Sequence, residues 1–302
     1  MVSSPVFIRA APVIFVFLWS TGYVGARFGL PYADPLTFTA VRFAIVTALL
    51  GLLIPGQARR LPRSPVMWLH LAVSGVLIHA CFIGGVYYAI DAGVDISIAA
   101  LIAGTQPLLT AFVAVAVLGE SLRRAQWLGF AIGFAGLGLV VVKSIGIGGL
   151  PWAGLGGCFL ALAGITFGTL YQKRFVVGID LMAGSTVQFC AALIPCAVWA
   201  VLFEDGRIEW NFTVIATLAW LCLAMSLGAI SILLVLIRNG AAARVSSLFY
   251  LVPPVTAVQG YVLFGERLTP IQIAGIALAA SGVALINMGG PANTAAPPAA
   301  RA

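Results

Sequence analysis

The sequence predicts an all-α integral membrane protein of ten transmembrane helices arranged as two inverted five-helix repeats, and three observations carry that expectation. Apolar residues make up 62% of the chain and charged residues 8%, whereas a soluble domain carries roughly a quarter charged residues. The charges are spaced so that long apolar stretches separate them, and a spanning helix needs ~17–25 such residues to cross ~30 Å of hydrocarbon. The second half of the chain also repeats the first.

The elements follow in order. Segment 11–29 is apolar up to Arg27 and lacks the basic n-region, short apolar core and small-residue cleavage site of a secretory signal, so it reads as a permanent first helix. Segment 36–54 comes second and carries Arg42. Charge-free runs at 63–91, 95–120 and 124–143 give spans at 66–88, 97–118 and 125–142. The sixth span, 152–171, ends just before Lys173 and Arg174. Charge-free runs at 180–204, 209–238 and 244–266 give spans at 182–202, 213–236 and 245–264, and 270–288 completes the set. The polar connections are short, which leaves no room for a soluble domain, and only the tail 291–302 reads as disordered. Cys81, Cys158, Cys190, Cys196 and Cys222 all fall within spans without CxxC spacing, so they read as small apolar packing residues. No metal or cofactor is called for.

The formal net charge of +7 is a topology signal rather than a nucleic-acid footprint. With a cytoplasmic N-terminus, the inner side receives Arg9, Arg59, Arg60, Arg63, Arg123, Arg124, Lys173, Arg174, Arg238, Arg244 and Arg301. The outer side receives Arg27, Lys143, Arg207 and Arg267. That bias puts both termini in the cytoplasm of a bacterial-type inner membrane.

Laying 105–140 over 251–286 at a constant offset of 146 gives eleven identities in 36 ungapped positions, where roughly three are expected by chance. Pro107 meets Pro253, Gly119-Glu120 meets Gly265-Glu266, and Gly129 and Gly136 meet Gly275 and Gly282. The halves are 1–145 and 146–290. Five helices is an odd number, so the second half enters the membrane from the opposite side. Inverted halves around a midplane site are a recurrent architecture of alternating-access transporters.

With the repeat in hand, the chain resembles the EamA-type, ten-helix branch of the drug/metabolite transporter superfamily. The resemblance rests on Phe17-Leu18-Trp19-Ser20, on Pro107 and Pro253 near the starts of helices 4 and 9, and on the Gly-Glu-x-Leu endings Gly119 to Leu122 and Gly265 to Leu268, each followed by a glycine-rich helix. It implies a central cavity between the halves and export of amino acids, related metabolites or drugs. It also implies that the last helix of each half serves as scaffold or as the face of a homodimer.

An ionisable group inside hydrocarbon is costly, so it faces the bundle interior or snorkels to the interface. His79 lies near the centre of helix 3, where an imidazole can take up a proton or hydrogen-bond a solute; the plainer reading is a neutral histidine bonded to a neighbouring helix. Arg42, about two turns from the outer end of helix 2, either grips a carboxylate or snorkels outward, and snorkelling is the more economical reading. Glu120 and Glu266 recur in both halves, where a carboxylate complements the N-terminal dipole of the following helix. Neutral polar and aromatic residues complete the cavity candidates: Trp19, Tyr23, Gln106, Tyr250 and Gln259, with Trp19, His79 and Tyr250 foremost. Tyr87 and Tyr171 lie nearer helix ends and read as interfacial belt residues. Pro107, Pro253 and Pro254 remove backbone donors within helices 4 and 9 and are hinge candidates.

The leading function is a secondary transporter of a small solute, with the lipid bilayer as its other partner. No nucleotide-binding segment supplies ATP hydrolysis. An enzyme would need HExxH, paired aspartates or a nucleophile with its base, and none is present. A channel would show a charged ring or filter loop; a sensor without active transport is the remaining alternative.

Overall fold

The computed structural model describes residues 5–52, 61–118, 124–148, 152–229, 232 and 249–288. Ten helices run through them: α1 (Pro5–Gly29), α2 (Pro35–Leu52), α3 (Pro65–Asp91), α4 (Ile96–Gly104 and Gln106–Leu118) and α5 (Arg124–Gly148) in the first half. The second half holds α6 (Trp152–Phe175), α7 (Leu181–Phe203), α8 (Phe212–Ala219 continued by Trp220–Ala229), α9 (Val252–Phe264) and α10 (Pro270–Met288). The first seven are long and apolar enough to cross a bilayer, and the last three present shorter apolar helices among the described residues. The tail 291–302, Glu120 and the side chain of Tyr250 lie outside the described residues.

Local chemistry sets the helix starts. Proline occupies the first turn of α2, α3 and α10, where its missing N–H costs nothing and its fixed φ suits the helix. Asp180 Oδ1 caps α7 by accepting from the N–H groups of Met182 and Ala183 at 3.1 and 3.2 Å, and Asn211 caps α8 by accepting from Val214 N at 2.9 Å. Val13, Trp127, Val142, Trp152, Val201 and Phe212 stay exposed, as expected of side chains that face lipid tails rather than water.

Corresponding helices start at a fixed interval: Pro35 and Leu181 are 146 residues apart, as are Arg124 and Pro270. The packing obeys the same exchange. Helices α2 and α7, α4 and α9, and α5 and α10 each pack on their own counterpart, while the α1–α8 and α1–α9 contacts recur as α6–α3 and α6–α4. The α1–α2 and α3–α4 connections lie on one face with the α7–α8 and α9–α10 connections, because Ala33 bridges Ile208 and Glu266 bonds Ile96. Halves of equal orientation would instead join the α1–α2 and α6–α7 connections, so the second half is inverted.

Helices α5 and α10 touch backbone to backbone. A Cβ at Gly282 would sit 2.4 Å from Gly133 N, and one at Gly136 would sit 2.5 Å from Gly275 O. The glycine faces read from the sequence are used in this contact within the chain. Two irregularities are duplicated as well. Helix α4 breaks at Thr105, just before Pro107, and α9 is preceded by a 3-10 turn at Phe249–Leu251, just before Pro253 and Pro254. The breaks meet each other, since a Cβ at Gly104 would sit 2.7 Å from Pro253 Cγ. Both α3 (Val76–Gly84) and α8 (Trp220–Ala229) widen into π-helix at matching positions, a distortion that turns the following side chains relative to a regular helix.

Gly282→Val is therefore expected to destabilise the protein by ~1–3 kcal/mol through overpacking. Thermal unfolding in detergent checks this, and Gly138→Ala, whose added Cβ meets nothing within 4 Å, is expected to leave the transition in place.

Candidate functional site

The π-helical segments of α3 and α8 face each other across a cavity of about 130 Å3 lined also by α1, α2, α6 and α7. Trp19, Tyr23, Arg42 and His79 all lie on its wall, so four of the seven residues singled out from the sequence come together. Trp19 belongs to an aromatic cluster with Phe15 and Phe249, its ring 5.0 Å from that of Phe249 and perpendicular to it. The His79 ring stacks on Phe189 at 4.1 Å and meets Phe43 edge-on, while its Nδ1 is buried without a hydrogen-bond partner.

Arg42 departs from the snorkelling reading. It is only 3% exposed. Its Nη1 donates to the Tyr87 hydroxyl at 2.7 Å, its Nη2 reaches Ser226 Oγ at 3.4 Å, and its Nε has no partner. Tyr87 in turn is no belt residue: it is 2% exposed and lines the cavity beside Arg42. The sequence placed it near the end of α3, and the π-helical stretch ending at Gly84 just precedes it. Among the described residues no carboxylate lines this cavity, and Arg42 is the one charged side chain on its wall.

Gln106 and Gln259 lie outside the cavity lining. Gln106 follows the break at Thr105 and turns toward α6, where its Nε2 donates to Thr169 Oγ1 at 3.0 Å. Gln259 is buried on α9 with its Oε1 unpartnered. Phe189, Met225 and Ser226 also face the cavity and were missed by sequence reasoning. The offset of 146 is the signal that finds one of them, because it pairs His79 with Met225.

The cavity sits beneath a set of contacts that tie the halves together on the face holding the α1–α2 and α7–α8 connections. Glu204, at the end of α7, accepts from Leu36 N at 2.9 Å and from the Thr37 N–H and hydroxyl, both at 2.7 Å, which caps α2. Glu266 accepts from Ile96 N at 2.9 Å and from the Ser97 hydroxyl, which caps α4. The carboxylate thus serves a helix of the other half rather than the α10 that follows it. Helix α10 is capped by its own box, in which Gln272 N donates to Thr269 Oγ1 at 3.3 Å and Thr269 N to Gln272 Oε1 at 2.8 Å. Gly265, at φ 68°, ends α9 in the left-handed conformation that glycine adopts without strain, and this directs Glu266 back toward α4. Beside it, burial first and the Glu266 charge second raise the Asp95 carboxyl above its ordinary range, with Arg27 opposing.

Comparison with known proteins agrees with this architecture. The sequence profile of the EamA-like transporter family matches residues 10–142 and again 152–288. The inner membrane transporter YedA of Escherichia coli is 29% identical over 276 residues, covering 90% of this chain and 88% of that one. A protein of Salmonella typhimurium named as a probable amino-acid metabolite efflux pump is 25% identical over 280 residues, 90% of this chain and 91% of that one. A crystal structure superposes with a TM-score of 0.63 at 18% identity, covering 94% of this chain and 98% of that chain, a likeness of fold.

Tyr87→Phe removes the acceptor of Arg42 Nη1 and is expected to cost ~1–3 kcal/mol, because it leaves a buried charged donor unmet. Unfolding midpoints of Tyr87→Phe against Tyr88→Phe measure the difference.

Proposed function

The chain belongs to the EamA-like transporter family, and from that premise we propose that it exports a small organic solute, an amino acid or a related metabolite or drug, across a bacterial-type inner membrane by alternating access. The observation that carries the proposal is the cavity at the interface of two inverted halves, whose wall includes Arg42 and His79, each with a buried nitrogen that has no hydrogen-bond partner. Export is supported by the relative named as an efflux pump.

In this reading Trp19, Tyr23, Arg42 and His79 contact the solute. Pro107, Pro253 and Pro254 are the hinges, because the duplicated helix breaks beside them contact one another where the halves meet. Both termini are cytoplasmic, in keeping with the distribution of arginine and lysine. The face closed by Glu204 and Glu266 is then the outer one, and exchange of conformation between the halves opens it. The proton gradient drives export, with His79 on the cavity wall as the coupling residue.

Proton-gradient-driven flux of a mixed amino-acid and metabolite pool in proteoliposomes tests this reading. Wild type is expected to move solute against its gradient, and His79→Ala to fall to the level of protein-free liposomes while remaining folded and inserted. Unchanged gradient dependence in His79→Ala would make the histidine structural, and no flux of any solute by the wild type would remove the transporter reading.

A further inference from the structure

We infer that the cavity selects small organic anions, a single carboxylate on an apolar body, and rejects solutes that carry an ammonium group, zwitterionic amino acids included. The inference rests on the transporter reading and narrows it to a substrate class.

A guanidinium stays protonated at any physiological pH, and Arg42 is buried between α2, α3 and α8 with only neutral partners, the hydroxyls of Tyr87 and Ser226. A buried cation without a counter-charge is costly in a membrane interior, and the cost is relieved when an anion completes the pair. Among the described residues no side chain on the cavity wall supplies that anion.

Geometry then says which anion. Tyr87 holds Nη1 at 2.7 Å, whereas Nε has no partner and Nη2 has a long contact of 3.4 Å with Ser226. The buried edge of the guanidinium formed by Nε and Nη2 is therefore weakly committed to protein groups, and two parallel N–H donors match the two oxygens of a carboxylate. His79, on the same wall, likewise has a buried Nδ1 without a partner. The lining also includes Trp19, Phe82, Phe189 and Met225, which suit a hydrocarbon or aromatic body.

An ammonium fares badly in the same space. Its three donors would find no carboxylate, and its charge would repel that of Arg42 in a medium of low dielectric. The repeat sharpens the point. The positions of the second half that correspond to Arg42 and His79 are Gln188 and Met225, and Gln188 is engaged with Ser74 and Gln172 at 2.9 Å. Among the described lining residues the positive charge occurs once, which fits one anionic group per solute.

Three probes with the same ring test the inference: L-phenylalanine, 3-phenylpropanoate, which lacks its ammonium, and 2-phenylethylamine, which lacks its carboxylate. Counterflow in proteoliposomes without an ion gradient is measured for each, so the result does not depend on proton coupling. The expected result is exchange of 3-phenylpropanoate at least roughly tenfold faster than L-phenylalanine, the scale set by one unpaired buried charged group, and none for 2-phenylethylamine. Arg42→Gln is expected to abolish the exchange, and Arg42→Lys, which keeps the charge without the fork, to leave a minor part of it. The wild-type series stands even if either variant fails to fold. Exchange of L-phenylalanine or the amine equal to or faster than 3-phenylpropanoate overturns the anion selectivity and leaves the transporter reading intact, as does full exchange by folded Arg42→Gln. If none of the three moves while amino acids of a mixed pool do, the selectivity is overturned alone; if nothing moves at all, both readings fall.

Discussion

The first N–H groups of a helix have no partner within it, and at one face of this protein two such helix ends are met by carboxylates from the other half. Glu204 of the α7 end closes on α2, and Glu266 of the α9 end closes on α4. Around them the chain adds a backbone bridge from Ala33 to Ile208 and the Asp34–Arg207 pair at 3.5 Å. That pair is half exposed on the arginine side and contributes little. The two carboxylates matter more, because each neutralises a helix dipole end that would otherwise require water. Any conformation that opens this face has to strip both caps and hydrate what they leave.

This constraint explains the motif by which the chain was recognised. The glycine of Gly265-Glu266 permits the left-handed residue that ends α9, and the glutamate then turns back against α4, where the small Gly260 leaves it room. A motif read as two neighbouring helix ends is in fact a tie between the halves. The corresponding Glu120 lies outside the described residues.

Scaffold and chemistry divide cleanly along the repeat. Glycine contacts of α5 and α10, the paired breaks of α4 and α9 and the π-helical stretches of α3 and α8 occur in both halves. The side chains on the cavity wall do not: Trp19, Arg42 and His79 have Ile165, Gln188 and Met225 at the matching positions. A nearly symmetric frame thus encloses an asymmetric cavity, and exchange of conformation between the halves can alternate access without duplicating the site.

The helices were legible in the apolar runs: the expected starts at 66, 125 and 182, bounded by charges, and at 36 and 152, read from apolar composition, fall within one residue of Pro65, Arg124, Leu181, Pro35 and Trp152. The inversion was legible from an odd helix count. What the sequence could not convey was rotation of the side chains about each helix axis. Arg42 looked able to snorkel because its depth was known and its direction was not, and Tyr87 looked interfacial because nothing in the local residues announces a π-helical turn ending at Gly84. Gln106 was placed toward the cavity, but the break at Thr105 turns it toward Thr169.

Alternating access through this face is the central claim, and the separation of its loops is the quantity that tests it. Pulsed electron resonance between spin labels introduced as unnatural amino acids at Asp91 and Asp205, exposed residues of the two halves, reads it directly. The account predicts two distance populations in lipid, one matching the closed arrangement and one longer, with solute or proton gradient shifting their ratio. A single population that neither solute nor gradient alters would contradict it.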